Sequence, residues 1–446
     1  MTAKGQDVHH GNDSSNRDER FRLKIRHVVL AVFVALLGAA ILYVGIISTG
    51  GNRRLEALRA AGQPTTFAEL ALLNKLPMGV ENAAPVYQRA FAAFVSPPDS
   101  NLPYVGKAGY TPERGAILPE PTTRAIADCL AANTPCLALL HEAAGIATCR
   151  YDYDYTKGFP DLSSVRSCAR LLMLAAISNA VAGDADGAIA RIQDGLRLAD
   201  SLEKEPFLIA HLIRLAGTGI AITGLERTLS ATTFTDQQLR DLDEAVALTA
   251  GKLDLAQVFV TERCFMIESV RNPALMGVGG AQTRVLTLPG LRSQGLVDIL
   301  DYMGACVEAA SLPHTQRGAR FREIGTKLDN LSMLHITVKM LAPALTRIAD
   351  LDSRTCAHLD LARTALAMER YRLAQGRPPE QLADLVPDYL QQVPIDPFDG
   401  QPIRYRRTEP GYILYSIMED GQDNGGKERE QVGKGQPHDL CFIVTR

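Results

Sequence analysis

Tryptophan is absent from the 446 residues, and aromatic residues make up only 6%. Platforms that stack bases or sugars on large rings are therefore not expected. Neither sign of charge dominates, with 47 Lys and Arg against 50 Asp and Glu and a net charge of −3. A nucleic-acid binder needs a basic excess on one face, and nothing in these counts supplies it. The eight cysteines form no CxxC pair and no Cys/His run with zinc spacing. The chain also contains no GxSxG, no Walker A loop, no HExxH and no complete GxGxxG. Its nine histidines are scattered, with no i, i+4 pair. No catalytic motif points to a reaction, although many sites form only in three dimensions.

What is present is ordinary globular sequence behind an unusual N-terminus. Hydrophobic residues reach 46% and charged residues 22%, enough to build a core. The length suits two or three domains. Val28–Ile47 (VVLAVFVALLGAAILYVGII) is a run without a single charge. About 20 residues of helix cross the hydrocarbon of a bilayer. Lys4, Arg17, Arg20, Arg22, Lys24 and Arg26 precede the run, and Arg53, Arg54 and Arg59 follow it. The positive excess on the N-terminal side places residues 1–27 in the cytoplasm and the bulk of the chain in the periplasm. Arg53 and Arg54 weaken that bias and leave the inverted orientation as the alternative. Ser48-Thr49-Gly50-Gly51 is a poor cleavage site, so the run is expected to stay as a single-pass signal-anchor in the inner (cytoplasmic) membrane. Outside the cytoplasm disulfides are permitted. Proximity in sequence selects Cys129–Cys136 or Cys136–Cys149, against a background of buried thiols.

Beyond the anchor the chain is rich in Ala and Leu, which favours helix. Thr66 is placed to cap one helix, and Asn82-Ala83-Ala84-Pro85 opens another. Pro97, Pro98, Pro103, Pro112, Pro119 and Pro121 break regular structure, so 48–121 reads as helical connector and linker. Residues 122–348 form a helical body. Its expected helices are Arg124–Leu140, Leu162–Val181, Ala188–Leu202, Phe207–Leu229, Leu239–Phe265, Asp298–Ala310 and Phe321–Ile348, with Gly277–Gly280 and Pro289-Gly290 as loop. Thr235 with Asp236 reads as an N-cap. The pair flanking Gly183–Gly187 resembles one tetratricopeptide hairpin, and no second repeat shares its register. A helical bundle or irregular solenoid follows. Tyr151–Tyr155 alternates with aspartate like a short strand, either an aromatic contact strip or a loop packed on the body.

Residues 349–446 change character. A helix over Leu351–Gln375 is stopped by Gly376. A Pro-rich crossing follows, then two β-rich stretches, Ile403–Arg407 and Tyr412–Ile417. Pro410-Gly411 between them suits a type II turn, and Leu440–Val444 offers a third antiparallel strand. The run from Glu369-Arg370-Tyr371, through Asp396-Pro397-Phe398-Asp399-Gly400-Gln401-Pro402, to the Asp-Gly loop at Asp420 resembles the C-terminal part of type II secretion major pseudopilins. The arrangement, together with Asn82–Phe91, is also similar to membrane-anchored proteins of planctomycete-type bacteria. The pseudopilin resemblance covers roughly 70 residues and implies a small α+β module. It also implies calcium on the loop after the hairpin, at Asp420, Asp423 and Asp439. Here Lys427, Arg429 and Lys434 intrude and the loop is longer, so a solvated turn is the alternative. The anchor lacks a prepilin-peptidase site, so polymerisation as a pilus is not implied.

Together these features predict a membrane-anchored extracytoplasmic scaffold or adaptor. It would bind protein partners and be linked to an assembly of the secretion kind, with no nucleic acid. The alternative is an envelope enzyme acting on a polymer, with the Tyr151–Tyr155 strip and nearby carboxylates in its cleft.

Overall fold

In a computed structural model the described residues are 13–446, except 98–101, 106–109, 153–161, 277–279, 333–334, 342–346 and 434. Helix α1, Asp13–Ala60, carries the apolar run. Among the described residues of its membrane-length part, the most apolar window has no residue buried. The helix does not end with that run. It continues as a rod whose last turns dock on α12, Pro289–Ala310. Gly51 packs on Leu296, Leu55 joins Ile267 and Leu300 in one apolar cluster, and Arg54 pairs with Asp301 at 3.0 Å. The apolar helix is thus fixed to the body by packing, not by a flexible linker.

Two short helices follow, α2 (Phe67–Leu73) and α3 (Ala84–Ala93). The Thr66 hydroxyl accepts the Glu69 N–H, as its sequence position predicts. Helices α4 (Glu120–Ala132) and α5 (Thr134–Ala144) replace the single helix expected over Arg124–Leu140. Pro135 starts a new helix, and the Asn133 amide turns away to clasp both backbone groups of Val95.

Helices α6 (Ser163–Val181), α7 (Ala185–Asp200) and α8 (Leu208–Ala231) form the centre of the body. Glycine sets their separation. Gly195 meets Ala221, Gly217 meets Ala199 and Gly224 meets Met173, each close enough that an added Cβ would be tight. By composition α8 is also long enough to cross a membrane, yet 61% of its window is buried in the body. The stretch expected as Leu239–Phe265 divides into α9 (Asp236–Gly251) and α10 (Leu255–Arg271), because Asp254 caps a second start. A Thr235–Gln238 capping box opens α9. Pro289-Gly290, expected as loop, is the first turn of α12, where proline costs no hydrogen bond. Before it lies α11 (Ala281–Leu286), and after it α13 (His314–Asp329) and α14 (Ile336–Leu341).

Helix α15, Ile348–Gln375, stops at left-handed Gly376 as predicted. The antiparallel sheet follows in the order β1 (Arg404–Arg407), β2 (Tyr412–Ser416), β3 (Leu440–Val444). Two acids fasten it. The buried Asp396 carboxylate accepts the Phe398 and Ile417 N–H groups and the Ser416 hydroxyl, and pairs with Arg404 at 2.7 Å. Glu369 accepts the Tyr412 hydroxyl and pairs with Arg372 and Arg446. One apolar cluster runs through Ile192, Leu225, Leu242, Leu366, Leu414 and Phe442, so α7, α8, α9, α15 and the sheet share a core. The hairpin turn differs from expectation. Gly411 has the positive φ, but the Glu409–Pro410 bond is cis, which a Pro-Gly type II turn does not contain.

All eight cysteines are free thiols, so neither expected bridge forms. The break at Asn133 separates Cys129 from Cys136, whose thiol instead meets Cys168 of α6.

Candidate functional site

The most chemically varied cluster lies between α8, α13 and α15. Asp352, fully buried, receives His211 Nε2 at 3.3 Å and Arg317 Nη1 at 3.0 Å. Arg317 Nη1 also donates to His314 Nδ1 at 3.1 Å, and His314 Nε2 lies 3.6 Å from the Cys356 sulfur. Cys, His and Asp thus stand in a row, and their ligand atoms fall within 4.8 Å of one another, alone in this respect among the described residues. The proton positions do not suit a nucleophile. Burial first, then Arg317, lowers the His314 pKa, so the ring is neutral. Its Nδ1 is an acceptor for Arg317, which leaves the ring proton on Nε2, pointing at sulfur. A general base would have to present a lone pair there. Burial also holds the Cys356 thiol protonated, well above the ordinary range. The cluster does not fit a metal ion either, because the Arg317 guanidinium already occupies the cationic position beside Asp352.

An open cleft of about 440 Å³ lies between α5, α7 and α9, lined by His141, Asp194, Asp200, Asp241 and Glu244. Asp194 pairs with His141 at 3.0 Å and with Arg191 at 2.9 Å, and burial raises its pKa. Asp200 is a structural pin, joined to Arg214 at 2.9 Å and Lys252 at 3.1 Å. The aromatic strip does not reach this cleft in its described part. The Tyr151 ring is buried, with its hydroxyl 3.1 Å from Ser201 and its N–H on Glu205. Tyr153 and Tyr155 lie outside the described residues. On α10, Glu268 and Arg271 form an i,i+3 pair at 2.7 Å.

Asp420, Asp423 and Asp439 share the loop region between β2 and β3. Asp439 accepts the N–H groups of Asn424 and Gly426 at 3.1 and 2.7 Å. Asp420 and Asp423 cap their own turns at Gln422 and Gly425. Their oxygens do not all converge within 4.8 Å, and Arg404 Nε stands 3.6 Å from Asp423. Every one of these interactions is a turn or a neutralising contact.

An apolar concavity of about 580 Å³ forms a groove between α4, α6, the C-terminal end of α8 and the loop at 112–118. Ile126, Leu174 and Ile177 line it. At its lips Ile117 is 98% exposed and Val181 is 72% exposed. Its loop wall is held by Arg114, whose Nε meets Glu226 of α8 at 2.7 Å and whose Nη1 meets Glu428 at 2.8 Å. Arg227 donates to the Pro112 carbonyl at 2.8 Å.

No family model matches the chain, and neither the curated proteins nor the solved structures contain a significant match. Sequence reasoning missed both the Asp352 cluster and the groove. His211 and Asp352 are 141 positions apart, and no local spacing announces such a pair.

Proposed function

We propose that the chain is a membrane-anchored extracytoplasmic scaffold or adaptor, and that it receives an apolar segment of a protein partner in the groove between α4, α6 and α8. The observation that carries this reading is the groove itself, a concave apolar trough with Ile117 and Val181 uncovered at its lips. Lone exposed apolar residues are common, but apolar lips on an apolar trough are the form that protein-recognition grooves take. The uncharged run of α1, Val28–Ile47, is the anchor, with its basic N-terminal flank in the cytoplasm and the body in the periplasm. The C-terminal module, through its pseudopilin resemblance, links the partner to an assembly of the secretion kind.

The test is in-cell photo-cross-linking from a benzophenone residue placed at Ile117 or Val181 in the full chain. A discrete adduct that disappears in V181D supports the adaptor reading. No adduct from either position, in cells that contain the protein at normal level, overturns it. A second reading, an envelope enzyme acting on a polymer, rests on the carboxylates that line the cleft beside His141. Release of soluble fragments from isolated envelope polymer, lost in D194N, would favour it over the adaptor.

A further inference from the structure

The docking of α1 on α12 fixes the depth at which part of the body sits. The two helices run side by side in the same direction. Tyr43 donates to Gln294 at 3.2 Å, Val44 stands against Gly290, Gly51 against Leu296, and Arg54 against Asp301. Tyr43 and Val44 belong to the uncharged run that ends at Ile47. At 1.5 Å of rise per residue, Val44 lies about 4–5 Å inside the end of that run. The first turn of α12 is therefore level with the edge of the hydrocarbon, and α11 leads directly into it.

The composition of this element suits that depth. From Asn272 to Val297 there is no acidic residue, and the charges are Arg284 and Arg292 alone. Both arginines are exposed, as are Val285 at 51% and Leu288 at 53%. Leu286 turns inward and is buried. A short helix that offers apolar side chains and arginine, with no carboxylate in its own stretch of chain, is what the interfacial layer of a bilayer accepts.

We infer that α11 and the first turn of α12 form a second membrane contact, in which Val285 and Leu288 enter the interfacial layer of the bilayer that holds α1 while Arg284 and Arg292 meet lipid phosphates. This rests on the reading of α1 as a membrane anchor. The consequence is mechanical. A body held at two points lies at a fixed tilt on the membrane, whereas one held by α1 alone could swivel.

The absence of tryptophan gives the test a clean reporter. Three single-tryptophan variants of the full chain are reconstituted in phosphatidylethanolamine–phosphatidylglycerol vesicles, with or without brominated acyl chains. L36W reports the middle of the anchor, L288W the proposed contact, and L248W the exposed face of α9. Bromine quenches only a ring that reaches the acyl region. The expected result is quenching by more than half in L36W and L288W, and by less than a tenth in L248W. Quenching in L36W without quenching in L288W overturns the second contact and leaves the anchor standing. No quenching in L36W removes the anchor and this inference with it. Equal quenching in L288W and L248W overturns the inference as well, because contact would not be confined to α11 and α12.

Discussion

The carboxylate of Glu262 on α10 accepts the backbone N–H of Leu208, the first residue of α8, at 2.8 Å. Phe207, at the N-cap of α8, has no side-chain oxygen to do this, so a distant acid caps the helix instead. Burial raises the Glu262 pKa from 4.5 to about 7, and the Leu208 bond opposes that rise only in part. The folded state therefore holds a proton that the unfolded chain releases between pH 4.5 and 7. The contribution of this group is fully present below pH 4.5 and declines as pH climbs to 7, with an upper bound of about 3 kcal/mol. Glu205, which accepts the Tyr151 N–H and is also raised to about 7, acts with the same sign. Urea unfolding of E262Q should show a shallower fall between pH 5 and 8 than the parent. At pH 8 the variant should be the more stable by 1 kcal/mol or more, on the order of the buried-charge penalty it removes. An unchanged slope would show that Glu262 is ionised in the folded state.

Asp352 carries the opposite lesson, because its charge is matched. Replacing it with asparagine leaves Arg317 inside the body without its carboxylate and weakens the contact with His211. Removing one partner of a buried pair costs about 3–5 kcal/mol. D352N should lose an amount of that order in denaturant midpoint. The double variant D352N/R317M should recover part of it, since the stranded cation is then gone. Additive losses in the double variant would mean that the two side chains do not interact.

These two acids also mark where sequence reading succeeds and fails. Local chemistry was legible: Thr66 and Thr235 cap helices, Gly376 ends α15, and the strand order follows from the β-rich stretches around Gly411. Each of those signals lies within a few residues of the backbone groups it serves. The breaks at Asn133 and Asp254 were harder, because Ala and Leu continue across them and only Pro135 marks the first and the Asp254 cap the second. The pairs Glu262–Leu208 and His211–Asp352 were not legible at all. Their partners meet only when α8 packs against α10 and α15, and buried glutamate looks like surface glutamate in a sequence. The groove was missed for a related reason. Ile117 lies in the Pro-rich linker, and nothing in that segment tells that it closes on α6 and α8.

At the end of β3 the sheet depends on a missing side chain. A Cβ at Gly411 would lie 1.8 Å from the Val444 carbonyl oxygen, and the residue has a φ of +92°. Backbone occupies that space, so no rotamer change relieves the contact. The left-handed backbone alone costs an alanine about 1–3 kcal/mol, and the clash adds to it. G411A should destabilise the chain by at least that amount and speed amide exchange at Ile443 and Val444 before exchange elsewhere. Normal protection on β3 in G411A would show that the turn can move aside.

Arg114 couples the groove to the rest of the molecule. It bridges Glu226, nearly inaccessible on α8, to Glu428 ahead of β3, and it holds the loop that carries Ile117. Desolvation raises the Glu226 pKa while Arg114 works against it. In R114A both carboxylates remain, and only Arg227 is left to offset the charge of Glu226. The loss should approach about 3–5 kcal/mol at alkaline pH. It should shrink as pH falls, because burial raises the Glu226 pKa, Arg114 no longer opposes that rise, and proton uptake then favours the folded state. The double variant R114A/E226Q removes the stranded charge and should restore stability without restoring the loop. The photo-adduct from position 117 then separates two roles. If Arg114 shapes the groove wall, the adduct stays weak in R114A/E226Q even though the fold has recovered. If the adduct returns with stability, Arg114 serves the core alone and the partner reads the trough formed by α4 and α6.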